Sequence, residues 1–431
     1  MQFDTNSDYP SLPAVNPPEF PPAEPSPCAR LTTRVYHPSK DIITMEADVL
    51  VRTRMPKRSS MRTTDDMGSS SSDESSYMSA DDYEAPSQSQ VEIVTGEEEE
   101  CAYWMQRTIR EAIYGRVLFA VVLKKRRVRE AEWIATDEKC AIKEMSWQHI
   151  RKERDKLAED PIKEVGAMQF LKRWYDAISS STSGDSFVSI GATNVMMPMD
   201  LLSDDRYLYS VMPFCNGGEL FEMLDMNEKF TEDEARHWMR QVLNGLETLQ
   251  LAGICHRDIS LENLLVHENG CLIIDMGMCL MVPTQRISDN EISTSFNCLD
   301  INSNPVSEPY SINARTSLRH LILPQGVCGK WLYMSPEIYK NREPFDGFAV
   351  DMWAAGVILF LMLTGFPPWE RACDADERFK YMSSGYLVQM LTEWQLGLSS
   401  DAMDLLQRML WLDPNDRLSL EQVRAHPWMQ R

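Results

Sequence analysis

The sequence predicts an α+β fold in which a β-rich part precedes a larger, mostly helical part. Two apolar runs, VLFAVVL (117–123) and KCAIKEM (139–145), indicate buried strands. A helix is expected from Pro161 to Trp174, because proline in the first turn of a helix costs no hydrogen bond. Beyond it, short strands alternate with longer helices, so we expect residues 101–430 to form one large domain.

Two further helices are predicted. CAYWMQRTIREAI (101–113) has apolar residues at helical spacing and predicts a short helix. AAGVILFLMLT (354–364) is the longest apolar run. We interpret it as a buried core helix, since a helix needs about 20 residues to span a bilayer. No transmembrane segment is therefore expected.

The first hundred residues are expected to be disordered. Residues 1–27 are rich in proline, which disfavours helices and central strands. The acidic, Ser-rich stretch 59–86 has too few apolar residues to form a core, and it suits either phosphorylation by acidophilic kinases or a solubilising tail. Leu31 to Val51 is the exception, because its β-branched residues predict a short strand or docking element.

Composition limits the partners and the compartment. The net charge of -22 argues against nucleic acid and anionic membrane surfaces, which attract basic proteins. The ten cysteines show no metal-ligand spacing, so we expect free thiols in a reducing compartment. No signal peptide begins the chain, and the predicted localisation is cytoplasmic or nuclear. The basic stretch from Arg52 to Arg62 is either a nuclear signal or a solvated charged face.

Several short motifs follow one another in the chain, and their order is the main evidence for function. Together they resemble the eukaryotic protein kinase family of the Ser/Thr type, over roughly residues 112–430. HPWM (426–429) is similar to the end of the calcium/calmodulin-dependent kinase group. The motifs are CAIK (140–143), HRDISLEN (256–263), IIDMG (273–277), SPE (335–337), DMWAAG (351–356) and DPNDR (413–417).

This resemblance implies a two-lobed protein kinase fold, with a small β-rich lobe near 112–211 and a larger helical lobe near 219–430. It implies transfer of the γ-phosphate of ATP to Ser or Thr hydroxyls of protein substrates, with Mg²⁺ as cofactor and an upstream activating kinase as a partner. Tyr stays open as acceptor, because Ser260 replaces the usual marker lysine of Ser/Thr kinases. The alternatives are a pseudokinase scaffold with weak nucleotide binding and a small-molecule phosphotransferase.

The resemblance also assigns the residues of phosphate transfer. Lys143 would bind the α- and β-phosphates and needs a carboxylate to hold it. Glu164 matches that carboxylate, and Glu159 is the competing candidate. Asp258 would orient the acceptor hydroxyl and accept its proton. Two hard oxygen ligands would hold magnesium, and these are Asn263 and Asp275.

A second group of residues matches the adenosine site. Met212 matches the gatekeeper, and the linker from Pro213 to Cys215 would meet the base with its backbone. Glu219 would reach the ribose. An apolar clamp would cover adenine, although ordinary core packing also explains these side chains. The nucleotide-site residues are Gly115, Val122, Ala141, Lys143, Met212, Phe214, Cys215, Glu219 and Leu265.

The glycine-rich loop departs from the family pattern. GxGxxGxV falls on Gly115, Val117, Ala120 and Val122, so only the first glycine is present. Glycines let backbone N–H groups approach phosphates, so we expect weaker ATP binding. The magnesium motif has Met276 where Phe is usual, and this flexible apolar side chain is expected to fill the same slot.

The most informative departure concerns two positions that normally touch. The family usually has lysine two residues after the catalytic aspartate, and here that residue is Ser260. A hydroxyl usually follows the glycine of the late activation segment, and here Lys330 follows Gly329. Our hypothesis is that the two side chains have exchanged places and that Lys330 supplies the missing charge. Two unrelated substitutions are the alternative.

Other matches are structural or regulatory. Glu337 and Arg417 match a buried ion pair, and Asp351 matches the residue that fixes the catalytic loop. The activation segment 275–337 is long and has a polar insertion at 286–318. Arg257 would pair with a phosphorylated residue of this segment, for which Thr316 and Ser317 are candidates.

Overall fold

The structure is a computed structural model that describes residues 14–53, 101–181, 193–286 and 317–431. They form two compact units. What we call the β unit comprises Glu24–Leu157 and Pro198–Phe214, and the helical unit comprises Met1–Ala23, Ala158–Met197 and Cys215–Arg431. The predicted two-lobed α+β fold is confirmed. The acidic stretch 59–86, Thr316 and most of the insertion 286–318 lie outside the described residues.

The β unit is a closed barrel in the strand order β1-β2-β3-β4-β5-β7-β6. Strand β1 closes it by pairing in parallel with β6, and the remaining neighbours in this order are antiparallel. Closure gives the edge strands of the sheet backbone partners. The strands are β1 (Ser26–His37), β2 (Ile42–Arg52), β3 (Cys101–Ala112), β4 (Gly115–Val128), β5 (Ala131–Ser146), β6 (Asp200–Ser203) and β7 (Tyr207–Pro213).

Two expectations about the start of the domain are corrected. Disorder across the first hundred residues is wrong for residues 26–52, which form the hairpin β1–β2 of the barrel. The helix expected at 101–113 is wrong, because these residues form β3. β3 pairs with β2 on one side and β4 on the other, so ladder hydrogen bonds on both edges outweigh the helical spacing of its apolar residues. The small lobe therefore begins well before residue 112.

The helical unit contains one long helix that was only partly predicted. Helix α2 spans Pro161–Ser181, longer than the expected 161–174, and it groups with the helical unit although the predicted small lobe included it. The helices are α1 (Trp147–Glu153, in the β unit), α2, α3 (Leu220–Asn227), α4 (Glu232–Leu251), α5 (Pro336–Lys340), α6 (Gly347–Thr364), α7 (Glu377–Tyr381), α8 (Leu387–Glu393), α9 (Ser400–Met409), α10 (Leu420–Ala425) and α11 (Pro427–Gln430).

Short strand pairs frame the loops of the helical unit. β9 pairs with β10, β8 with β11, and β12 with β13, all antiparallel. They are β8 (Ile254–Cys255), β9 (Leu264–His267), β10 (Gly270–Ile273), β11 (Leu280–Met281), β12 (Thr284–Arg286) and β13 (Ser317–Arg319).

Helix α6 forms the centre of the helical unit. Asp346 caps its start by accepting hydrogen bonds from Phe348 N and Ala349 N, and Gly365 ends it at a φ of 78°. By length and apolar composition this helix could cross a membrane, but 94% of that window is buried inside the protein. It is therefore the buried core helix that the apolar run predicted.

A segment near the N-terminus crosses the helical unit. Val15 N donates to Leu321 O at 3.0 Å, and Leu323 N donates to Val15 O at 3.0 Å. Further along, the ring of Phe20 meets Phe170 of α2 edge to face, with centroids 5.9 Å apart. These residues connect helix α2 to the residues that follow β13, so this proline-rich stretch is part of the folded domain.

The β1–β2 hairpin is tied to the barrel by a buried charge. Glu144 of β5 has only 4% of its side chain exposed and binds Arg30 of β1 and Arg116 of β4, each at 2.8 Å. A buried carboxylate needs such partners because desolvation is expensive. On the same strand, Arg34 forms an exposed pair with Glu130.

Replacing Arg30 by methionine should lower the free energy of unfolding by about 2 kcal/mol, because Glu144 stays buried with one cation fewer. The matched change Arg34→Met should alter it by less than about 0.5 kcal/mol, since exposed pairs contribute little. Urea unfolding of both variants measures the difference. Equal losses would show that the buried pair does not anchor the hairpin.

Candidate active site

The loop after β8 is anchored by one buried carboxylate. Asp351 of α6 is 2% exposed and accepts hydrogen bonds from His256 N at 2.7 Å and Arg257 N at 2.8 Å. Burial raises the pKa of Asp351 to about 6. These bonds confirm the expectation that Asp351 fixes the loop, and they hold Arg257 at a φ of 67°, a costly conformation for a residue with a side chain.

His256 orients the residue that follows Arg257. Its Nδ1 accepts from Asp258 N at 3.3 Å, so its Nε2 carries the proton and donates to Ile274 O at 3.0 Å. Ile274 precedes Asp275, and its own N donates to Asn263 O at 3.0 Å. The loop 256–263 and the IIDMG strand end are therefore joined, and Asp258, Asn263 and Asp275 come from adjacent backbone segments.

Asn263 has its amide group fully used by the loop. Its Nδ2 donates to Asp258 O at 2.8 Å and to Asp258 Oδ2 at 2.9 Å. Both N–H groups are thus engaged, and the Oδ1 atom is left as an acceptor for a cation. An amide oxygen and a carboxylate are ligands that Mg²⁺ prefers, so Asn263 and Asp275 fit the predicted metal pair.

Asp275 is part of a carboxylate cluster. Glu159, Glu164 and Asp275 each offer an oxygen, and these oxygens lie within 4.8 Å of one another. Glu164 is on α2 and 3% exposed, whereas Glu159 packs beside Gly277, where an added Cβ would lie 2.7 Å from its Cγ. Both candidates for the lysine partner therefore lie near Asp275 within the helical unit. Lys143 is on β5 of the β unit, and its pairing with Glu164 stays a prediction.

One face of the barrel carries the predicted adenine residues. The strand register places Ala141 opposite Met212 of β7 and opposite Phe119 of β4, so the three side chains form a row across three strands. Phe119 also meets Phe214 edge to face, with centroids 4.9 Å apart. Sequence reasoning missed Phe119. Its signal was its place in the alternation of VLFAVVL, which only pairing with Ala141 could resolve.

Val122 does not belong to that row, and its expected place in the apolar clamp is wrong. It is 4% exposed and packs in the barrel interior with Leu118, Ala120 and Ile142. Successive side chains of a strand point to opposite faces, and a register shift follows Val121. Ordinary core packing explains Val122.

The turn between β3 and β4 corrects the glycine-loop alignment. Ala112 pairs with Gly115, so the turn itself is Ile113–Tyr114. If Phe119 takes the last position of GxGxxGxV, the three glycine positions fall on Ala112, Tyr114 and Val117. Gly115 has a different reason to be small, since a Cβ there would lie 2.0 Å from Glu144 O. It permits a close strand crossing, and its nucleotide role is not supported.

The remaining nucleotide-site residues lie at the linker and at β9. The division between the two units falls between Phe214 and Cys215, within the predicted linker. Burial raises the pKa of the Cys215 thiol to about 11, so it stays protonated. Glu219 caps α3 and shares a backbone bridge with Leu265, which brings these two predicted residues together.

The two exchanged residues meet. Lys330 Nζ lies 2.7 Å from Ser260 Oγ, and both lie beside Asp258. The other predicted ion pair is also confirmed: Arg417 Nη1 lies 2.8 Å from Glu337 Oε1, with the Arg417 side chain fully buried. Met276 is 2% exposed, consistent with an apolar slot for that residue. Arg257 donates to Met278 O at 3.4 Å and to Gly326 O at 3.3 Å.

Comparison with known proteins agrees with this geometry. The family model described as protein kinase domain matches residues 125–298 and 311–429, more than half of the chain. The chain belongs to the protein kinase family. The match begins within β4, so the turn that lacks the kinase glycines lies outside it.

Curated relatives of this kinase domain carry Ser/Thr kinase names. It is 26% identical over 299 residues to the CBL-interacting serine/threonine-protein kinase 16 of Arabidopsis thaliana, covering 69% of this chain and 52% of the relative. It is 26% identical over 330 residues to the CBL-interacting protein kinase 31 of Oryza sativa subsp. japonica, covering 76% and 58%. The mouse serine/threonine-protein kinase DCLK3 is 31% identical over 245 residues, covering 56% and 26%. The chain therefore spans about half the length, or less, of these relatives.

The raised pKa of Asp351 makes stability depend on pH. In the folded kinase this carboxyl binds a proton more readily than in the unfolded chain. Its contribution to stability is therefore complete below about pH 4 and is lost as pH rises through about 6. From pH 7 to pH 5 the parent should gain about 1 kcal/mol relative to Asp351→Asn, which cannot titrate.

Urea unfolding of the parent and Asp351→Asn at pH 7, 6 and 5 measures this gain. The control is Asp374→Asn, because Asp374 is exposed and should show a pH-independent difference from the parent. A difference for Asp351→Asn that stays constant over this range would contradict the raised pKa.

Proposed function

We propose that this protein is a Ser/Thr protein kinase that transfers the γ-phosphate of ATP to protein substrates. The observation that carries the proposal is the arrangement around Asp258, whose carboxylate is held by Asn263 Nδ2 at 2.9 Å and Lys330 N at 3.1 Å. Its side chain keeps 13% exposure. A carboxylate fixed in this way has the position and the access to receive an acceptor hydroxyl.

Phosphate transfer then needs alignment and neutralisation of charge rather than covalent help. Asp258 orients the acceptor hydroxyl and takes its proton. The oxygen of that hydroxyl forms a bond to the γ-phosphorus, the bond from this phosphorus to the bridging oxygen breaks, and ADP leaves. Lys143 is assigned to the α- and β-phosphates, with Glu164 as its carboxylate partner.

Magnesium, when bound, neutralises the phosphate oxygens. Asn263 and Asp275 would hold it, because Asn263 keeps a free amide oxygen and Asp275 is a carboxylate beside it in the chain fold. Glu159 adds a third carboxylate near Asp275, which would strengthen cation binding at this place.

Adenine is assigned to the row formed by Met212, Ala141 and Phe119, together with Phe214. All four are partly exposed and apolar, which suits a flat heterocycle. Leu265 and Glu219 complete the assignment on the helical unit. The cysteines of the described residues are free thiols, which supports a reducing intracellular compartment.

The decisive experiment is transfer of labelled γ-phosphate from ATP and Mg²⁺ to the full chain itself and to a basic protein. Asp258→Asn and Asp275→Asn should each reduce labelling by about 10²-fold or more, because one removes the proton acceptor and the other a metal ligand. Asp374→Asn is the matched control and should label as the parent does, since Asp374 is exposed and outside the site.

Identification of the labelled residues tests the acceptor. Phosphoserine and phosphothreonine are expected, and exclusive phosphotyrosine would overturn the Ser/Thr assignment. A parent that transfers no label would overturn the proposed activity and favour a scaffold.

The assignment of adenine to Phe119 predicts a separable effect. Phe119→Ala should raise the KM for ATP about tenfold with little change in melting temperature, because its ring lies partly exposed on the proposed adenine face. Val122→Ala should instead lower stability by about 1 kcal/mol, because it removes buried methyl groups, and it should leave KM nearly unchanged. ATP titrations and thermal melts of both variants separate the two faces of β4. The opposite pattern would restore Val122 to the site.

A further inference from the structure

Lys330 reaches the catalytic loop from the activation segment. Its Nζ lies 2.7 Å from Ser260 Oγ and 3.5 Å from Asp258 Oδ2. Ser260 is fully buried, whereas 38% of the Lys330 side chain is exposed. One side of the ammonium is therefore fixed by the protein, and another side faces solvent next to the carboxylate assigned to the acceptor.

The backbone at this place is as specific as the side chains. Lys330 N donates to Asp258 Oδ1 at 3.1 Å. Gly329 has a φ of 86°, and a Cβ there would lie 2.8 Å from Arg257 O and 3.2 Å from Asp258 Oδ1. Only glycine tolerates both this conformation and this contact, so Gly329 allows the segment to approach the loop closely. The position of Lys330 is thus set by its backbone as well as by its ammonium.

Fold stability does not account for this lysine. An ammonium that is partly exposed gains little from a neighbouring carboxylate, because water already solvates it. A buried serine hydroxyl needs only a neutral partner. The unusual feature is that a positive charge is held beside Asp258 at a place where phosphate charge would accumulate during transfer.

We propose that Lys330 is the catalytic cation that contacts the transferred phosphate, and that Ser260 is its positioning residue. This inference rests on the proposed kinase activity. Lys330 stays protonated throughout: it stabilises the charge on the phosphate oxygens, while the proton of the acceptor goes to Asp258. The pair reverses the family arrangement, in which the lysine belongs to the catalytic loop and the hydroxyl to the activation segment.

The exchange has a regulatory consequence. The loop 256–263 has no cation at position 260, so the site gains this charge only when Gly329 and Lys330 lie against Asp258. Any displacement of the late activation segment removes the charge together with the substrate platform. Activity should therefore depend more steeply on the order of this segment than in a kinase whose lysine is part of the loop.

The test compares three variants in the full chain. Lys330→Ser should lower kcat about 10²-fold with little change in the KM for ATP, since a contact made in transfer is lost. The double variant Ser260→Lys plus Lys330→Ser restores the family arrangement and should recover at least about tenfold of that loss. The control Lys340→Ser removes an exposed lysine of α5 and should behave as the parent.

A second readout needs no nucleotide. Hydrogen exchange of the unliganded protein should show faster exchange at the Lys330 amide in Ser260→Ala, because the segment loses its side-chain anchor to the loop. Lys340→Ser should leave this exchange unchanged, and unaltered melting temperatures confirm that each variant is folded. Unchanged exchange in Ser260→Ala would overturn the positioning role of Ser260.

The outcomes separate the two proposals. An inactive parent would overturn the kinase activity itself. An active parent whose Lys330→Ser variant stays within about threefold would overturn only the assignment of Lys330. A folded double variant that recovers no activity would overturn the exchange, because the charge would then be required at residue 330 for another reason.

Discussion

The buried carboxylate of Asp351 is the constraint on which the active site depends. It takes the amide protons of His256 and Arg257, and this fixes the backbone from which Asp258 projects. His256 passes the constraint on, because its ring links Asp258 N to Ile274 O. A charge with no solvent contact is costly, and two amide bonds offset part of that cost. The carboxylate thus acts on catalysis from a core helix without touching substrate.

Asp258 is where separate segments converge. One carboxylate oxygen accepts from Asn263 of the same loop, and the other accepts from Lys330 N of the activation segment. The same group therefore holds a metal ligand in orientation and docks the segment that brings Lys330. This arrangement explains why the site tolerates Ser260, since a neighbouring segment supplies a cation at the same place.

The β unit follows a different logic, in which closure of the sheet replaces several family features. The hairpin β1–β2 gives partners to the edges of the sheet, and Arg30 binds Glu144 across the strands. The β3–β4 turn is short and carries Tyr114, which is 1% exposed, at a position where the family has glycine. A bulky, buried turn residue makes this loop stiffer than a glycine-rich one, and this suits a lobe whose strands form a closed barrel.

The sequence by itself determined the kinase family, the residues Asp258, Asn263 and Asp275, and the exchange of Ser260 with Lys330. Each rests on side-chain chemistry at a fixed distance along the chain, which motifs record directly. It also indicated strands within 31–51, but not that they close a barrel. Only the tertiary structure decided that Phe119, and not Val122, shares a face with Ala141 and that residues 101–112 form a strand. Those outcomes depend on strand register and on pairing between distant segments. A shift of one residue reverses the face of every side chain, and such a shift leaves no mark in the local sequence.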